Sequence, residues 1–192
     1  MSYQTYTTEA LVCGTFNRNT ADRSYLLFTK EAGMLFAEAR SVREERSRQR
    51  FALQDFSHVR VSLIKGKNSW KIGSIESKSN FFSNATSKEA RGSVVTIFRL
   101  LRRFLSGQEP APILFEYVVS LLQTVSSETS GRATLEKIFH VRLLRELGYV
   151  DTRTVPTVIE SDITTLQTTE ISVDVIVQLD KIIDKAVATS HL

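Results

Sequence analysis

The apolar residues of this chain recur with two different periods along its length. Residues 59–63 read Val-Arg-Val-Ser-Leu, and this alternation is the pattern of a strand with one buried face. Within residues 94–105, apolar residues recur every three or four positions, as they do on an amphipathic helix. The change of period near residue 77 predicts an α+β fold, in which a β part precedes a helical part.

The sequence of the β part indicates several short strands joined by turns that contain glycine. Apolar runs precede and follow a turn at residues 30–33, and Gly33 supplies the positive φ that a tight hairpin requires. Five or so short strands in fewer than 80 residues indicate a small closed barrel. A polar, arginine-rich loop at residues 40–50 interrupts the strands.

The helical part predicts four helices. Pro112 lies where a helix can begin, and Gly148 fits the position that follows the end of another helix. The segment from about residue 150 to residue 171 is poor in large side chains and contains Pro156. We therefore expect an irregular connector with one strand at residues 155–159. The predicted helices cover residues 94–105, 113–125, 133–147 and 171–186.

Positive charge is concentrated in residues 40–71. This stretch has nine basic side chains and three acidic ones, a local net charge of +6, and Trp70, Phe36 and Phe51 lie within or beside it. Fixed positive charge next to aromatic faces is typical of a groove for nucleic-acid backbone and unstacked bases. The basic residues are Arg40, Arg43, Arg46, Arg48, Arg50, Arg60, Lys65, Lys67 and Lys71.

The composition argues against several other classes of protein. The single cysteine, Cys13, excludes an internal disulfide and a cysteine-based zinc cluster, and a buried apolar role is expected for it. The three histidines lie on separate predicted elements, and no nucleophile motif or glycine-rich phosphate loop is present. We therefore expect no enzyme, metal, cofactor or small-molecule substrate. Without a signal peptide or an apolar run of about 20 residues, we expect no membrane and a cytoplasmic, nucleoid-associated location.

Several motifs resemble the bacterial recombination mediator family RecO. Residues 22–35 resemble the family's hairpin, D-R-x-x-x-x-F-T-x-x-x-G-x-L, and residues 139–149 resemble its F-x-x-x-L-L-x-x-L-G-Y. Residues 8–12 resemble the first strand, and residues 39–57 resemble the basic loop and the entry to the fourth strand, with Asp55 where proline is usual. The resemblance covers roughly residues 8–150.

One departure from the family pattern concerns metal. Many members have a four-cysteine zinc module after the Leu-Gly-Tyr motif, whereas residues 151–171 contain no cysteine. For the domain organisation, the resemblance implies an OB-fold nucleic-acid-binding domain over residues 1–77. A helical domain over residues 78–192, with a zinc-free connector and a C-terminal helix, would follow.

The resemblance implies a role in the RecF pathway of recombinational DNA repair. Such a protein binds single- and double-stranded DNA, anneals complementary strands, and with RecR helps RecA to replace single-strand-binding protein. A groove in the helical domain would accept the acidic C-terminal tail of single-strand-binding protein. The predicted DNA-binding residues are Arg40, Arg43, Arg46, Arg48, Arg50, Lys65, Lys67, Trp70 and Lys71, and the predicted protein-docking residues are Arg99, Arg102, Arg103, Arg142 and Arg145.

Alternative interpretations remain at each of these positions. The arginine-rich loop could be a solvated surface loop, Trp70 could be a core residue, and Lys65 and Lys67 could only form a hydrophilic turn. The arginines of the helical part could merely solvate helix faces. A different function class is also open: a non-enzymatic adaptor whose basic faces dock acidic protein tails instead of DNA.

Overall fold

A computed structural model describes residues 5–42, 44, 47, 49–66, 69–127 and 130–189, with the backbone alone at residue 189. Apart from one four-residue helix, the strands precede the helices along the chain, so the predicted α+β fold is confirmed. The strands are β1 (Thr5–Asn17), β2 (Arg23–Thr29), β3 (Gly33–Ala39), β4 (Ser57–Lys65) and β5 (Trp70–Asn80). The α-helices are α1 (Gln49–Ala52), α2 (Phe81–Asn84), α3 (Lys88–Phe104), α4 (Pro112–Ser126), α5 (Arg132–Glu146), α6 (Ile163–Thr168) and α7 (Val173–Thr189).

The strands close into a barrel in the order β1-β2-β3-β5-β4. β1 pairs antiparallel with both β2 and β4, while β3 and β5 make a short parallel pairing. This five-stranded closed barrel confirms the predicted OB-type architecture. β1 extends beyond the apolar run at residues 10–14 in both directions, since it pairs with β4 from Thr5 and with β2 as far as Asn17. Its register with β2 shifts between Val12 and Gly14.

The barrel core follows the alternation of the sequence. Val59, Val61 and Leu63 are fully buried, while Arg60 between them is exposed. Each buried side chain of this size contributes about 1.5–3 kcal/mol through removal of apolar surface from water. The same core contains Ala10, Val12, Tyr25, Leu27, Leu35, Ala37, Ala39, Val42, Leu53 and Ile72.

The predicted hairpin turn at Gly33 is confirmed, and the structure shows that close packing also restricts the residue type at this position. Gly33 has φ of +62°, and a Cβ there would lie 2.4 Å from the carbonyl oxygen of Glu109. The next residue, Met34, donates its backbone N–H to the carbonyl oxygen of Gly107 at 2.9 Å. Glycine is therefore required at this position for both its backbone conformation and its lack of a side chain.

The four helices predicted for the second part of the chain correspond to α3, α4, α5 and α7, with ends shifted by a few residues. Gly148 has φ of +76° after α5. Its N–H bonds the carbonyl of Arg145, and the N–H of Tyr149 bonds the carbonyl of Leu144, both at 2.9 Å. These two bonds form the Schellman motif that glycine favours at a helix C-terminus. Both α3 and α7 pack against α5.

The predicted strand at residues 155–159 is wrong. Two 3-10 helices, Thr152–Thr154 and Thr157–Glu160, occupy this segment. Pro156 is the N-cap of the second one, has no N–H for a strand ladder, and accepts a hydrogen bond from Ile159 N at 3.2 Å. Burial of Ile159 is thus achieved without a partner strand.

The chain forms two compact units. The first contains residues 1–85 and 105–118, and the second contains residues 86–104 and 119–192. The division falls within α4, and the predicted domain limit at residues 77 and 78 stays a prediction. In the part of the chain that the structure describes, no helix is both long and apolar enough to cross a bilayer.

Candidate nucleic-acid interface

Three of the predicted DNA-binding residues lie together at the turn between β4 and β5. Lys65 is paired with Trp70 across the two strands, and Lys71 follows Trp70. The Lys65 ammonium nitrogen lies 5.6 Å from the centroid of the Trp70 ring, within the range of a cation–π contact. In the parallel pairing Trp70 lies beside Ala37 of β3. The turn thus places one cation, Lys65, over the Trp70 ring, while the side chain of Lys71 lies on the opposite face of the strand.

The Trp70 ring is held in position from more than one side. It is half-buried and packs against the barrel core. Its Nε1 donates a hydrogen bond to Oε1 of Gln108 at 3.1 Å. These surroundings match the interpretation of Trp70 as a core-packing residue, and its role in base stacking stays a prediction.

Arg50 and Phe51 lie on the short helix α1. The Arg50 guanidinium carbon is 4.7 Å from the centroid of the Phe51 ring, and Phe51 is 63% exposed. The neighbouring Gln49 donates from Nε2 to the carbonyl oxygen of Gly73 at 2.8 Å. Because Gly73 is two residues beyond Lys71, this bond ties α1 to the strand that carries Trp70 and Lys71.

Arg40 is exposed directly after β3 and has an acidic neighbour. The backbone N–H of Ser41 bonds Oδ1 of Asp22 at 2.9 Å. Hydrogen bonds from Asn19 and Ser41 hold the pKa of Asp22 below its usual range, and the positive charges of Arg40 and Arg18 add to this effect. Part of the Arg40 charge is therefore compensated locally. The remaining predicted DNA-binding residues, Arg43, Arg46, Arg48 and Lys67, lie outside the described residues.

The barrel carries an aromatic pair that was not predicted from the sequence. Phe16 and Phe36 are 41% and 55% exposed, and their ring centroids lie 5.7 Å apart in an edge-to-face arrangement. The sequence indicates the first strand through the apolar run at residues 10–14, which ends before Phe16. The Thr-Phe pair that follows Gly14 has high β-propensity and was the signal for a longer strand.

The five predicted docking arginines of the second unit have three different surroundings. Arg99 and Arg103 line a groove of about 410 Å³ with Lys137 and His140, between α3 and α5. Burial lowers the pKa of His140, and the nearby charge of Arg103 lowers it further. Arg102 is exposed on α3 but does not line this groove.

Arg142 and Arg145 connect α5 to the second 3-10 helix. Arg142 Nη1 donates to the carbonyl oxygen of Ile159 at 3.2 Å. Arg145 forms ion pairs with Glu146 and Glu160, and its side chain is only 11% exposed. These two arginines therefore have structural partners in the second 3-10 helix.

The described residues contain no group of three or more His, Cys, Asp or Glu side chains placed to hold a metal ion. Cys13 is buried on β1, as the sequence analysis predicted. The absence of zinc itself stays a prediction.

Two family models match this chain. Residues 1–81 match the model described as "Recombination protein O N terminal", and residues 90–150 match "Recombination protein O C terminal". Two similar curated proteins are each called "DNA repair protein RecO", from Desulfitobacterium hafniense strains DSM 10664 / DCB-2 and Y51. Each is 28% identical over 144 residues, which cover 75% of this chain and 52% of the relative. The chain thus spans about half the length of these relatives. Because two regions match the RecO family models and an OB-type barrel is followed by helices, the chain belongs to the RecO family.

Proposed function

We propose that this chain acts in recombinational DNA repair by binding DNA without chemical catalysis. The observation that carries the proposal is the grouping of cations with aromatic rings on an OB-type barrel. Lys65 lies over the Trp70 ring at the turn between β4 and β5, and Arg50 contacts Phe51 on α1. Backbone phosphates require such cations, and unstacked bases gain about 1–3 kcal/mol each on aromatic faces.

The proposed mechanism is electrostatic. Arginine and lysine side chains neutralise the phosphates of two strands, so the repulsion between the strands falls and complementary bases can pair. Single- and double-stranded DNA are both proposed ligands, because phosphate contacts carry no sequence information. Cooperation with RecR in loading RecA, and a location with the nucleoid, are further parts of the proposal that family membership supports.

A fluorescence-anisotropy titration tests DNA binding directly. Labelled single-stranded DNA and the matching duplex are titrated with the purified chain at a series of salt concentrations. We expect log affinity to fall linearly with log salt, because each neutralised phosphate releases counterions. An affinity that does not change between 50 and 200 mM salt, or no binding at the lower concentration, would contradict the proposal.

The second unit supports a second candidate function, the docking of an acidic protein tail. The groove between α3 and α5 combines Arg99, Arg103 and one acid, Glu136, with the apolar side chains of Leu100 and Ile183. Guanidinium groups can hold carboxylates in bidentate geometry while an apolar wall accepts an aromatic ring. The C-terminal tail of single-strand-binding protein has this chemistry and is the proposed partner. If this groove were the chain's main binding site, the chain would be an adaptor that does not bind DNA.

A further inference from the structure

An open cleft of about 520 Å³ lies beside α1 in the barrel unit. We call it the α1 cleft. One wall consists of residues at the end of β1 and the start of β2, where Thr15 pairs with Tyr25 and Asn17 pairs with Arg23. The opposite wall is supplied by α1 and the residues after it. The polar and aromatic residues that line the cleft are Thr15, Asn17, Arg23, Arg50, Phe51 and Gln54.

The α1 wall is anchored although α1 is a short helix. Ala52 and Leu53 are buried in the barrel unit at 8% and 1% exposure, and Gln49 is bonded to the carbonyl of Gly73. Phe51 nevertheless remains 63% exposed. Because the backbone that carries it is anchored, the exposed ring is held in place for contact with a flat partner.

The charges of the cleft favour an anion. Arg50 contacts the Phe51 ring at 4.7 Å and adds positive charge beside it. Arg23 lines the opposite wall of the cleft and supplies a second guanidinium group. Guanidinium groups bind phosphate oxygens through charge-assisted hydrogen bonds. The one acidic residue of the cleft, Asp55, already accepts a hydrogen bond from Thr15 Oγ1 at 2.5 Å.

We propose that the α1 cleft binds one unstacked nucleotide of a single DNA strand, an inference that rests on the proposed DNA binding. The base stacks on Phe51, and the adjacent phosphate lies between Arg50 and Arg23. The amide side chains of Asn17 and Gln54 face the base edge, where they can donate and accept hydrogen bonds. A paired base has neighbours on both faces, so the cleft selects single strands over duplex. A peptide carboxylate would use the cations but would leave the exposed ring and the amides without a partner.

A thermodynamic cycle tests this proposal. The affinity of the full chain and of the Phe51→Leu variant is measured for oligothymidine and for an abasic phosphodiester of equal length and charge. Phe51→Leu should weaken binding of oligothymidine about fivefold or more, which corresponds to loss of one stacked base. It should leave the affinity for the abasic strand unchanged within twofold. Because Phe51 is exposed, the variant should retain the melting temperature of the parent chain.

Two further variants separate stacking from charge and from general apolar contact. Arg50→Gln should weaken both strands by the same factor, since it removes a phosphate contact and not a base contact. Phe82→Leu is the matched control, because Phe82 is 37% exposed on α2 and does not line the cleft. This control should change neither affinity.

The outcomes distinguish failure of this inference from failure of the proposed function. Equal weakening of both strands by Phe51→Leu, or no weakening of either, would overturn the nucleotide site while DNA binding stands. Competition by an acidic peptide as effective as that by oligothymidine would assign the cleft to protein and also overturn it. No binding of either strand by the unaltered chain would contradict the proposed function and the inference together.

Discussion

His58 Nε2 lies 2.9 Å from Oε2 of Glu9, across the barrel pairing of β1 with β4. Glu9 also forms an ion pair with Lys78, so its carboxylate bridges a histidine and a lysine. The His58 ring is 6% exposed and stacks on Phe81, with the two ring centroids 6.2 Å apart. A titratable group is thus enclosed in the barrel unit with one acidic partner.

The first prediction is that acid destabilises the chain in two steps. Burial lowers the pKa of His58, although Glu9 opposes the shift, so between the folded pKa and about 6.5 the unfolded state binds more protons. Stability should therefore fall as the pH falls below about 7. Hydrogen bonding from Lys78 lowers the pKa of Glu9, so a second loss should begin below about pH 4.5.

Urea-denaturation midpoints between pH 5.5 and 7.5 measure the first of these steps. His58→Gln should flatten the pH dependence in this range by removing one titrating group. His140 is the parallel case in the helical unit, because burial lowers its pKa too, and His140→Gln should remove the remaining part. A pH dependence that is identical in the parent chain and both variants would show that neither histidine causes it.

The second prediction concerns the glycine that closes the β2–β3 hairpin. Gly33→Ala should destabilise the barrel by about 3 kcal/mol or more, because its Cβ would lie within 3 Å of backbone atoms of Gly107 and Glu109. Gly107→Ala is the matched control. Gly107 also has positive φ, at +86°, but a Cβ there meets no described atom within 4 Å, so only the conformational cost of about 1–2 kcal/mol applies. Equal losses in denaturant titrations of the two variants would refute the role of close packing.

The third prediction tests the arginine-rich loop. Changing Arg43, Arg46, Arg48 and Arg50 to Ala should weaken DNA binding similarly for every sequence. The slope of log affinity against log salt should shrink by roughly 0.7 for each lost phosphate contact with a single strand. Arg60→Ala is the control for the fourfold variant. Arg60 lies between Glu9 and Glu76 in the sheet and should contribute little to DNA binding. Unchanged binding of the fourfold variant at low salt would exclude the loop from the DNA site.

The fourth prediction concerns the groove between α3 and α5. Arg103→Glu should weaken binding of an acidic peptide that ends in phenylalanine by about tenfold or more, because it replaces a charge-assisted hydrogen bond with repulsion. Arg102→Glu makes the same charge change one residue away, outside the groove, and should have a much smaller effect. Calorimetric titration with the peptide gives both affinities, and bare-DNA binding should change little in either variant. Equal loss of peptide affinity in the two variants would show that the groove does not recognise the peptide.

The fifth prediction is that the purified chain holds no stoichiometric zinc. The sequence has one cysteine, and the residues that the structure describes contain no cluster of metal ligands. Chelators should leave the melting temperature unchanged, whereas a zinc-stabilised relative would lose folding free energy. Elemental analysis that finds about one zinc per chain would disprove the prediction.

Local sequence pattern was sufficient for most of the elements. The alternation around Val61 and the glycine at position 33 predicted a strand and a hairpin, and Gly148 marked the end of α5. These features are local, since a strand face, a positive φ and a helix cap depend on a few neighbouring residues. The strand expected at residues 155–159 failed because Pro156 and the burial of Ile159 favour a 3-10 turn that local pattern does not distinguish from an extended segment.

Side-chain partners were decided only by the tertiary structure. The sequence grouped Arg99, Arg102, Arg103, Arg142 and Arg145 by charge and helix position alone. Packing of α5 against its neighbours assigns Arg142 and Arg145 to Ile159 and Glu160, while Arg99 and Arg103 line a groove.

In the same way, the sequence determined that residues 40–71 are basic and aromatic, but not which of these side chains would contact one another. Closure of the barrel places Lys65 over Trp70, and anchoring of α1 places Arg50 and Phe51 opposite Arg23. Composition and period are properties of the chain itself, whereas contacts between residues distant in sequence exist only once burial of a common core has brought them together.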